Sequence, residues 1–334
     1  MQASDHRDVV ARIDDVEARV LRGDDGVDAV VALLDRAEDA AGVPLVDESE
    51  RARLEALADG EIDRHHHWHS VVARRDGAAV GYAGLVLPDP DDEDGLARGD
   101  VAVDRQSRPC DPPLQSLLVA VDEVGRRHDA GRLQVWLRHA TEDDLHCAAR
   151  SGYAIERRLG VLSRSLDALD PVPVPEGLVI EGFDDADADD VVAVLAAAYA
   201  GTPDGGWTRE QFDRKRRFAW FDPDDLLVAR GPDGHVRGLH WTKRRGDGAG
   251  EVYNLAVHPD AQGERLGAVL LHAGLAHLAD IGCREAMLWV DLANERAVRL
   301  YTSQGFEVVW EDVALGRDVR PSASPRLGLS AGTR

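Results

Sequence analysis

Cysteine, lysine and long apolar runs are scarce in this chain of 334 residues. The three cysteines (Cys110, Cys147 and Cys283) are far apart and form neither a metal-type spacing nor a disulfide framework, which indicates a reducing compartment. No run of about 18 apolar residues occurs, and the N-terminus has no charged-then-apolar leader. We therefore expect a soluble, cytoplasmic protein with no membrane partner, long enough for two domains.

Basic residues are outnumbered by acidic ones, 39 to 62, so the formal net charge is −23. This balance disfavours nucleic acids and anionic membranes as partners, since both are themselves negative. The acidity favours solubility and also suits a salt adaptation; the sequence leaves both open. Of the 39 basic residues only Lys215 and Lys243 are lysines, which makes each of them unusual in this composition.

The stretch from Glu251 to Gly267 predicts a strand, a proline-containing turn and a loop with two glycines that opens a helix. The helix is apolar at helical spacing and ends near Gly282. A helix N-terminus combines free backbone N–H groups with the positive end of the helix dipole, so it suits an anion. This signal is weak by itself, because many α/β proteins contain such turns.

The order of elements repeats along the chain. Gly81 in VGYAGL corresponds to Gly238 in RGLHWT, and Trp136 in QVWLRH to Trp289 in MLWVDL. Three motifs agree in order and spacing, with Gly152 and Gly305 as the third pair, so we predict two tandem copies of one α/β unit. In the first copy the corresponding turn carries Pro109, Pro112 and Pro113 and no glycine. Proline has no N–H to donate, so this turn is a poor phosphate cradle.

A histidine cluster, His65–His69, precedes a predicted hairpin around Asp76-Gly77. Neighbouring strand residues point to opposite faces and no partner carboxylate is evident, so we interpret the cluster as a polar strand edge and expect no metal.

Two motifs in the second copy carry a family resemblance. The sequence VHPDAQGERLG, followed by NERAVRLY and then GF, is similar to the GNAT acyltransferase superfamily, which binds acetyl-CoA. The further motifs GGWT, WFDPDDLLVA, GLHWTK and GEVYNLAV resemble the mycothiol synthase family, closely over residues 178–312 and loosely over 28–165. The resemblance implies an α/β fold of tandem GNAT domains, each a mixed central sheet flanked by helices. It also implies a monomer that takes acetyl-CoA and a small-molecule amine, with no nucleic acid partner.

The implied organisation has five parts: a flexible N-terminus at 1–25, a GNAT-like domain with a degenerate CoA loop at 26–166, a linker at 167–177, a catalytic GNAT domain at 178–316, and a disordered tail at 317–334. In that family acetyl passes to the cysteinyl amine of a cysteinyl-glucosaminyl-inositol conjugate.

The resemblance also implies roles for individual residues. CoA would be held by Leu255, Ala256, Val257, Gln262, Gly263, Glu264, Arg265, Leu266, Gly267, Ala268, Asn294, Glu295, Arg296, Ala297, Val298 and Arg299. The acceptor would be contacted by Glu48, Asp204, Lys243, Glu251 and Trp289. Asp204 and Trp289 stand where the family has glutamate and tyrosine.

The chemistry requires a base, for which Glu251 is the candidate, because an amine that is protonated at neutral pH must lose a proton before it attacks a thioester. Tyr301 would protonate the departing thiolate, and a strand N–H would stabilise the oxyanion. Arg265 stands where the family has glycine and Glu264 where it has a basic residue, so we expect weakened CoA binding. These departures keep two alternatives open: a GNAT enzyme for another small amine, and a CoA-binding regulatory protein without turnover.

Overall fold

The computed structural model describes residues 9–21, 26–59, 67–88, 95–106, 111–202, 204–246, 248–263 and 265–319. The chain divides into two compact units, one of residues 1–158 with 311–334 and the other of residues 159–310. None of the helices in these ranges is long and apolar enough to cross a bilayer.

The first unit is α/β. Its elements are β1 (Val9–Ile13), β2 (Val16–Val20), α1 (Val27–Ala41), α2 (Glu48–Ala58), β3 (Trp68–Arg75), β4 (Ala78–Val86), β5 (Leu96–Val103), α3 (Asp111–Arg127), β6 (Arg132–Leu137), α4 (Glu142–Arg150), and the end of the long strand β13 (Glu307–Asp318). The sheet order is β1-β2-β3-β4-β5-β6-β13, with β5 and β6 parallel and the other pairs antiparallel. Its core forms where α3 packs on the sheet through Leu114, Leu117, Leu118 and Val121.

The N-terminal segment differs from the prediction of a flexible stretch at 1–25. Residues 9–20 form the hairpin β1–β2 around a turn in which Asp14 has a φ of 50°. Val16 and Ala18 alternate with polar residues and are fully buried, so pairing with β3 and core packing order this strand.

The second unit has a second mixed sheet. Its elements are most of β7 (Ala154–Ser165), then β8 (Val179–Gly182), α5 (Ala188–Ala198), α6 (Arg209–Lys215), β9 (Leu226–Arg230), β10 (Val236–Arg244), β11 (Gly250–Val257), α7 (Leu266–Asp280), β12 (Glu285–Asp291) and α8 (Glu295–Ser303). The sheet order is β7-β12-β11-β10-β9-β8, in which β11 and β12 are parallel. The tandem α/β organisation is thus confirmed, with the expected strand–loop–helix at residues 250–280.

The unit boundaries differ from the predicted ones at 166 and 178. Residues 159–165 of β7 pair with β12, so the end of the first copy lies in the sheet of the second unit. Residues 313–318 of β13 pair with β6 in the first unit, so the predicted tail at 317–334 begins within a strand. The rest of that tail, from 320, lies outside the described residues, as do His65 and His66 of the histidine cluster.

Gly81 and Gly238 have the same packing role in the two copies. A Cβ on Gly81 would lie 2.9 Å from Leu117 Cδ1, and one on Gly238 would lie 2.8 Å from Leu270 Cδ1. Each glycine therefore lets a leucine of the long helix, α3 or α7, approach the sheet. The two copies that the sequence indicates therefore share this contact between helix and sheet.

Candidate active site

The site begins where the parallel strands β11 and β12 stop pairing. Their ladder contains only Gly250↔Ala286 and Glu251↔Met287, whereas β10 follows β11 as far as Gly238↔Val257. The backbone of residues 252–257 thus has a strand on one side and a gap on the other. Backbone groups at such a gap can bond to an extended ligand instead of a strand.

One extra residue in β11 accompanies this gap. In the first unit Gly81 pairs with Val103 and Arg98 with Gln134, and four residues of β5 lie between these two partners. At the corresponding pairs of the second unit, Gly238↔Val257 and Glu251↔Met287, five residues of β11 lie between. The extra residue is Tyr253, a β-bulge, because Trp241 pairs with Asn254 and Thr242 already with Val252.

The first unit lacks both the bulge and the gap. There β5 and β6 remain paired from Leu96↔Arg132 to Val101↔Leu137, so no wedge opens between them. Pro112 and Pro113 lie buried at the start of α3, where an anion site would need N–H donors. The two copies therefore differ in the pairing of the two parallel strands, which stay paired in the first unit and separate in the second.

A cavity of about 530 Å³ occupies the wedge of the second unit. Twelve of the sixteen predicted CoA residues line it: Leu255, Ala256, Val257, Gln262, Gly263, Arg265, Leu266, Gly267, Ala268, Asn294, Arg296 and Ala297. The predicted acid Tyr301 lines it too, together with residues that the sequence reasoning missed: Ala198, Tyr199, Thr202, Ala261 and Leu300. Glu295, Val298 and Arg299 are not among the lining residues, and Glu264 lies outside the described residues.

The loop before α7 has left-handed backbone at two positions. Gly263 has a φ of 98°, and Arg265, the N-cap of α7, has a φ of 60° and a ψ of 13°. The arginine therefore adopts the conformation that the family's glycine would favour, at a cost of about 1–2 kcal/mol for an L-residue. The backbone of Arg265 is therefore strained, and the loop nevertheless keeps a turn that leads into the helix.

The start of α7 and two arginines contribute to the lining of the cavity. The carbonyl of Arg265 accepts the N–H groups of Ala268 and Val269, which leaves the first-turn N–H groups of Leu266 and Gly267 directed to the cavity end of the helix. Arg296 donates to Gln262 Oε1, and both Arg296 and Arg265 are lining residues of the cavity. This set of donors suits a diphosphate.

Two phenols lie deeper in the cavity. Tyr301 is 9% exposed and packs edge-to-face on Phe306, and burial, with a smaller contribution from Tyr199, raises its pKa well above the usual range. Tyr199 donates a hydrogen bond of 3.4 Å to the carbonyl of Leu255, and burial and then Asp204 raise its pKa to about 12. Both phenols stay protonated at neutral pH and can act as hydrogen-bond donors.

Glu251 lies at the point where the two strands separate. Its carboxylate is 3.7 Å from the Arg245 guanidinium, and its side chain is only 13% exposed. The same guanidinium lies 5.6 Å from the ring centre of Trp289, so Arg245 connects the candidate base with the predicted acceptor residue on β12. The sequence analysis did not identify Arg245. Its position two residues after Lys243 is the one sequence feature that could have suggested a shared face with that lysine.

Lys243 is the direct cross-strand neighbour of Glu251. Its ammonium lies 4.5 Å from the ring centre of Trp220 and 5.8 Å from that of Tyr253. Glu251, Lys243 and Trp289 are thus brought to one region of the second unit, as the sequence predicts.

The other two predicted acceptor residues are both exposed. Asp204 is exposed beyond α5 and acts electrostatically on Tyr199. Glu48 is an exposed first-turn residue of α2 in the first unit. Two residues later, Glu50 is 1% exposed and accepts hydrogen bonds from Trp68 and Tyr82. Among the described residues, no group of three histidine, cysteine or acidic side chains is arranged to hold a metal ion.

Comparison with known proteins identifies the family. Residues 192–306 match the Acetyltransferase (GNAT) family. The mycothiol acetyltransferase of Actinosynnema mirum is 37% identical over 281 residues, which are 83% of this chain and 91% of that protein. The mycothiol acetyltransferase of Streptomyces griseus is 36% identical over 84% of this chain and 88% of that protein.

Solved structures agree on the fold. A GCN5-related N-acetyltransferase from Sphaerobacter thermophilus matches with a TM-score of 0.69 and 22% identity, over 93% of this chain and 98% of that one. A tandem GNAT protein from the clavulanic acid biosynthesis pathway matches with a TM-score of 0.65 and 20% identity, over 92% and 99%. With close relatives along most of its length and this fold, the chain belongs to the mycothiol acetyltransferase family of GNAT proteins.

Proposed function

We propose that the second unit transfers acetyl from acetyl-CoA to the cysteinyl amine of cysteinyl-glucosaminyl-inositol, in the synthesis of mycothiol. The observation that supports this most is the wedge between β11 and β12, which ends at the N-terminus of α7 and has Glu251 at its apex. A strand edge and an anion-binding loop line the cavity, and the carboxylate of Glu251 lies on the same strand four residues before Leu255, so a thioester and an amine can be held close together.

In this proposal, acetyl-CoA lies along the open edge of β11. Its pantetheine bonds to the backbone of residues 255–257, and its diphosphate takes the N–H groups at the start of α7 and the guanidiniums of Arg265 and Arg296. The walls beside the pantetheine are apolar at Ala198, Ala261 and Leu300. Such a cavity excludes water from the thioester.

Glu251 takes the proton of the acceptor amine, directly or through one water. The neutral amine attacks the acetyl carbonyl, a backbone N–H of β11 stabilises the oxyanion, and the intermediate collapses with cleavage of the C–S bond. Tyr301 gives its proton to the departing thiolate, which its buried phenol can do because it stays protonated at neutral pH. The products are the amide and free CoA.

The test is acetyl transfer by purified protein to a panel of amines that includes cysteinyl-glucosaminyl-inositol. We expect transfer to that acceptor in preference to amines that lack the cysteinyl or the sugar part. Transfer only to an unrelated amine would replace the proposed acceptor. Binding of acetyl-CoA without transfer to any amine would instead favour a regulatory protein.

The role of Glu251 is tested with Glu251→Gln, which keeps the size of the side chain and removes its basicity. We expect kcat to fall by about 100-fold, within the usual range for a general base, while acetyl-CoA binding measured by calorimetry persists. The matched control is Glu307→Gln, an exposed carboxylate at the start of β13. Unchanged turnover of the Glu251 variant would exclude it as the base.

A further inference from the structure

The two lysines of the chain meet at one aromatic ring. Lys215 on α6 and Lys243 on β10 are 28 positions apart in a chain with 37 arginines and no other lysine. The ammonium of Lys215 lies 5.7 Å from the ring centre of Tyr253, and that of Lys243 lies 5.8 Å from the same centre. Trp220 and Phe218 extend this aromatic surface, since Trp220 lies 4.9 Å from Tyr253 and stacks on Phe218.

Lys215 contacts aromatic faces and no carboxylate of the described residues. Its ammonium lies over Phe218, at 5.4 Å, and over Tyr253. Two nearby arginines differ from Lys215: Arg209 of α6 pairs with Asp189 and Asp213, and Arg216, the C-cap of α6, pairs with Asp185. Within the described part of the chain, the contacts of this ammonium are therefore with aromatic rings.

The lysine pair adjoins the candidate base. Tyr253 is the bulge residue of β11, two positions after Glu251, and Lys243 is the cross-strand partner of Glu251. A ligand whose amine reaches Glu251 would therefore have Lys243 and Tyr253 as its next neighbours, and the ammonium of Lys215 lies on the same tyrosine ring.

The chemistry of this surface fits a hydroxyl-rich ring. Each ammonium has three donors and no acceptor, so it can bond to several hydroxyl oxygens. Aromatic faces pack against the C–H face of a sugar or cyclitol, which is apolar, while its hydroxyls point outward. A second cationic amine would be repelled here by two like charges, so the polyol end of an acceptor fits this surface better than its amine.

We propose that Lys215 is a second acceptor-binding lysine, which together with Lys243 and the face of Tyr253 holds the glucosaminyl-inositol part of the acceptor. This inference rests on the proposed function and names the residues that select the polyol end. Lys215 contacts the rings of Phe218 and Tyr253 and not Glu251, so we assign it no part in the chemical step. Its effect is therefore expected in the affinity for the acceptor.

The first test compares Lys215→Gln with wild type on two acceptors, cysteinyl-glucosaminyl-inositol and a cysteine amide without the sugar. We expect KM for the full acceptor to rise about tenfold, which corresponds to about 1.4 kcal/mol. The kcat/KM for the cysteine amide and the KM for acetyl-CoA should not change. Arg217→Gln, an exposed neighbour on the same segment, is the matched control. Equal losses on both acceptors, or no loss on either, would overturn the proposal.

The second test does not depend on turnover. Calorimetric titration with N-acetylglucosaminyl-inositol, which keeps the amide of the acceptor but has no amine, should show binding to wild type that Lys215→Gln weakens about tenfold and that Lys215→Arg partly retains. Absence of binding to wild type, or equal binding to the glutamine variant, would refute the role of Lys215. Failure of acetyl transfer with this binding intact would refute the proposed reaction alone.

Discussion

Replacing Arg265 separates the backbone strain of the CoA loop from the charge of its side chain. The residue has a φ of 60°, where an L-residue costs about 1–2 kcal/mol and glycine nearly nothing. Glycine also loses more entropy on folding, by about 0.4–1 kcal/mol. The difference predicts that Arg265→Gly stabilises the second unit by about 0.5–1 kcal/mol, whereas Arg265→Ala keeps the strain and leaves stability nearly unchanged.

Urea unfolding measures this difference in stability. The transition of the second unit is the one whose midpoint moves to higher urea concentration when acetyl-CoA is added. The reciprocal control is Gly263→Ala, where φ is 98° and no atom lies within 4 Å of the new Cβ, so any loss arises from the backbone alone. By the same difference between strain and entropy, we expect that variant to be destabilised by about 0.5–1 kcal/mol. If Arg265→Gly is no more stable than Arg265→Ala, the loop does not store the strain that its dihedral angles imply.

The charge of Arg265 is tested by acetyl-CoA binding. Both variants lack the guanidinium, so both should bind acetyl-CoA about tenfold more weakly at low salt, and the difference from wild type should shrink as salt rises. Wild-type affinity in the alanine variant would show that the guanidinium makes no phosphate contact. If Arg265→Ala bound acetyl-CoA weakly while Arg265→Gly bound it as tightly as wild type, the effect would come from the backbone.

Three further predictions follow from the structure. His240 is fully buried with Nδ1 2.8 Å from the Leu270 carbonyl, and burial lowers its pKa from 6.5 to about 4. Because the folded state then binds fewer protons than the unfolded state, about 3 kcal/mol of stability should be lost as pH falls from 6.5 to 4. His240→Leu should flatten that part of the profile of stability against pH measured by urea unfolding. Because β5 and β6 stay paired through Val101↔Leu137, calorimetry should find one acetyl-CoA per chain, and two would contradict the closed sheet. Tyr301→Phe should lower kcat by about 100-fold with the KM for acetyl-CoA unchanged. Because burial raises the pKa of the Tyr301 phenol, the kcat of the wild type should not fall through ionisation of this phenol up to pH 10.

Much of the candidate site could be predicted because its signals are local. The strand, loop and helix at 250–280 follow from alternation, two glycines and helical spacing, and the structure has them at those positions. Family spacing placed most of the cavity-lining residues for the same reason. Tyr199 could not be predicted, because an alanine-rich helix end gives no sign that its phenol reaches the carbonyl of Leu255.

The amino-acid sequence by itself determined the duplication, the anion loop and the family, since each depends on residue types at fixed spacing along the chain. The tertiary structure decided which sheet each terminal strand joins, because β7 and β13 are chosen by non-local pairing with β12 and β6. It also decided that one extra residue, Tyr253, opens the wedge, since a bulge exists only relative to the strand beside it. The meeting of Lys215 and Lys243 on that residue's ring follows from the same packing, which no local pattern records.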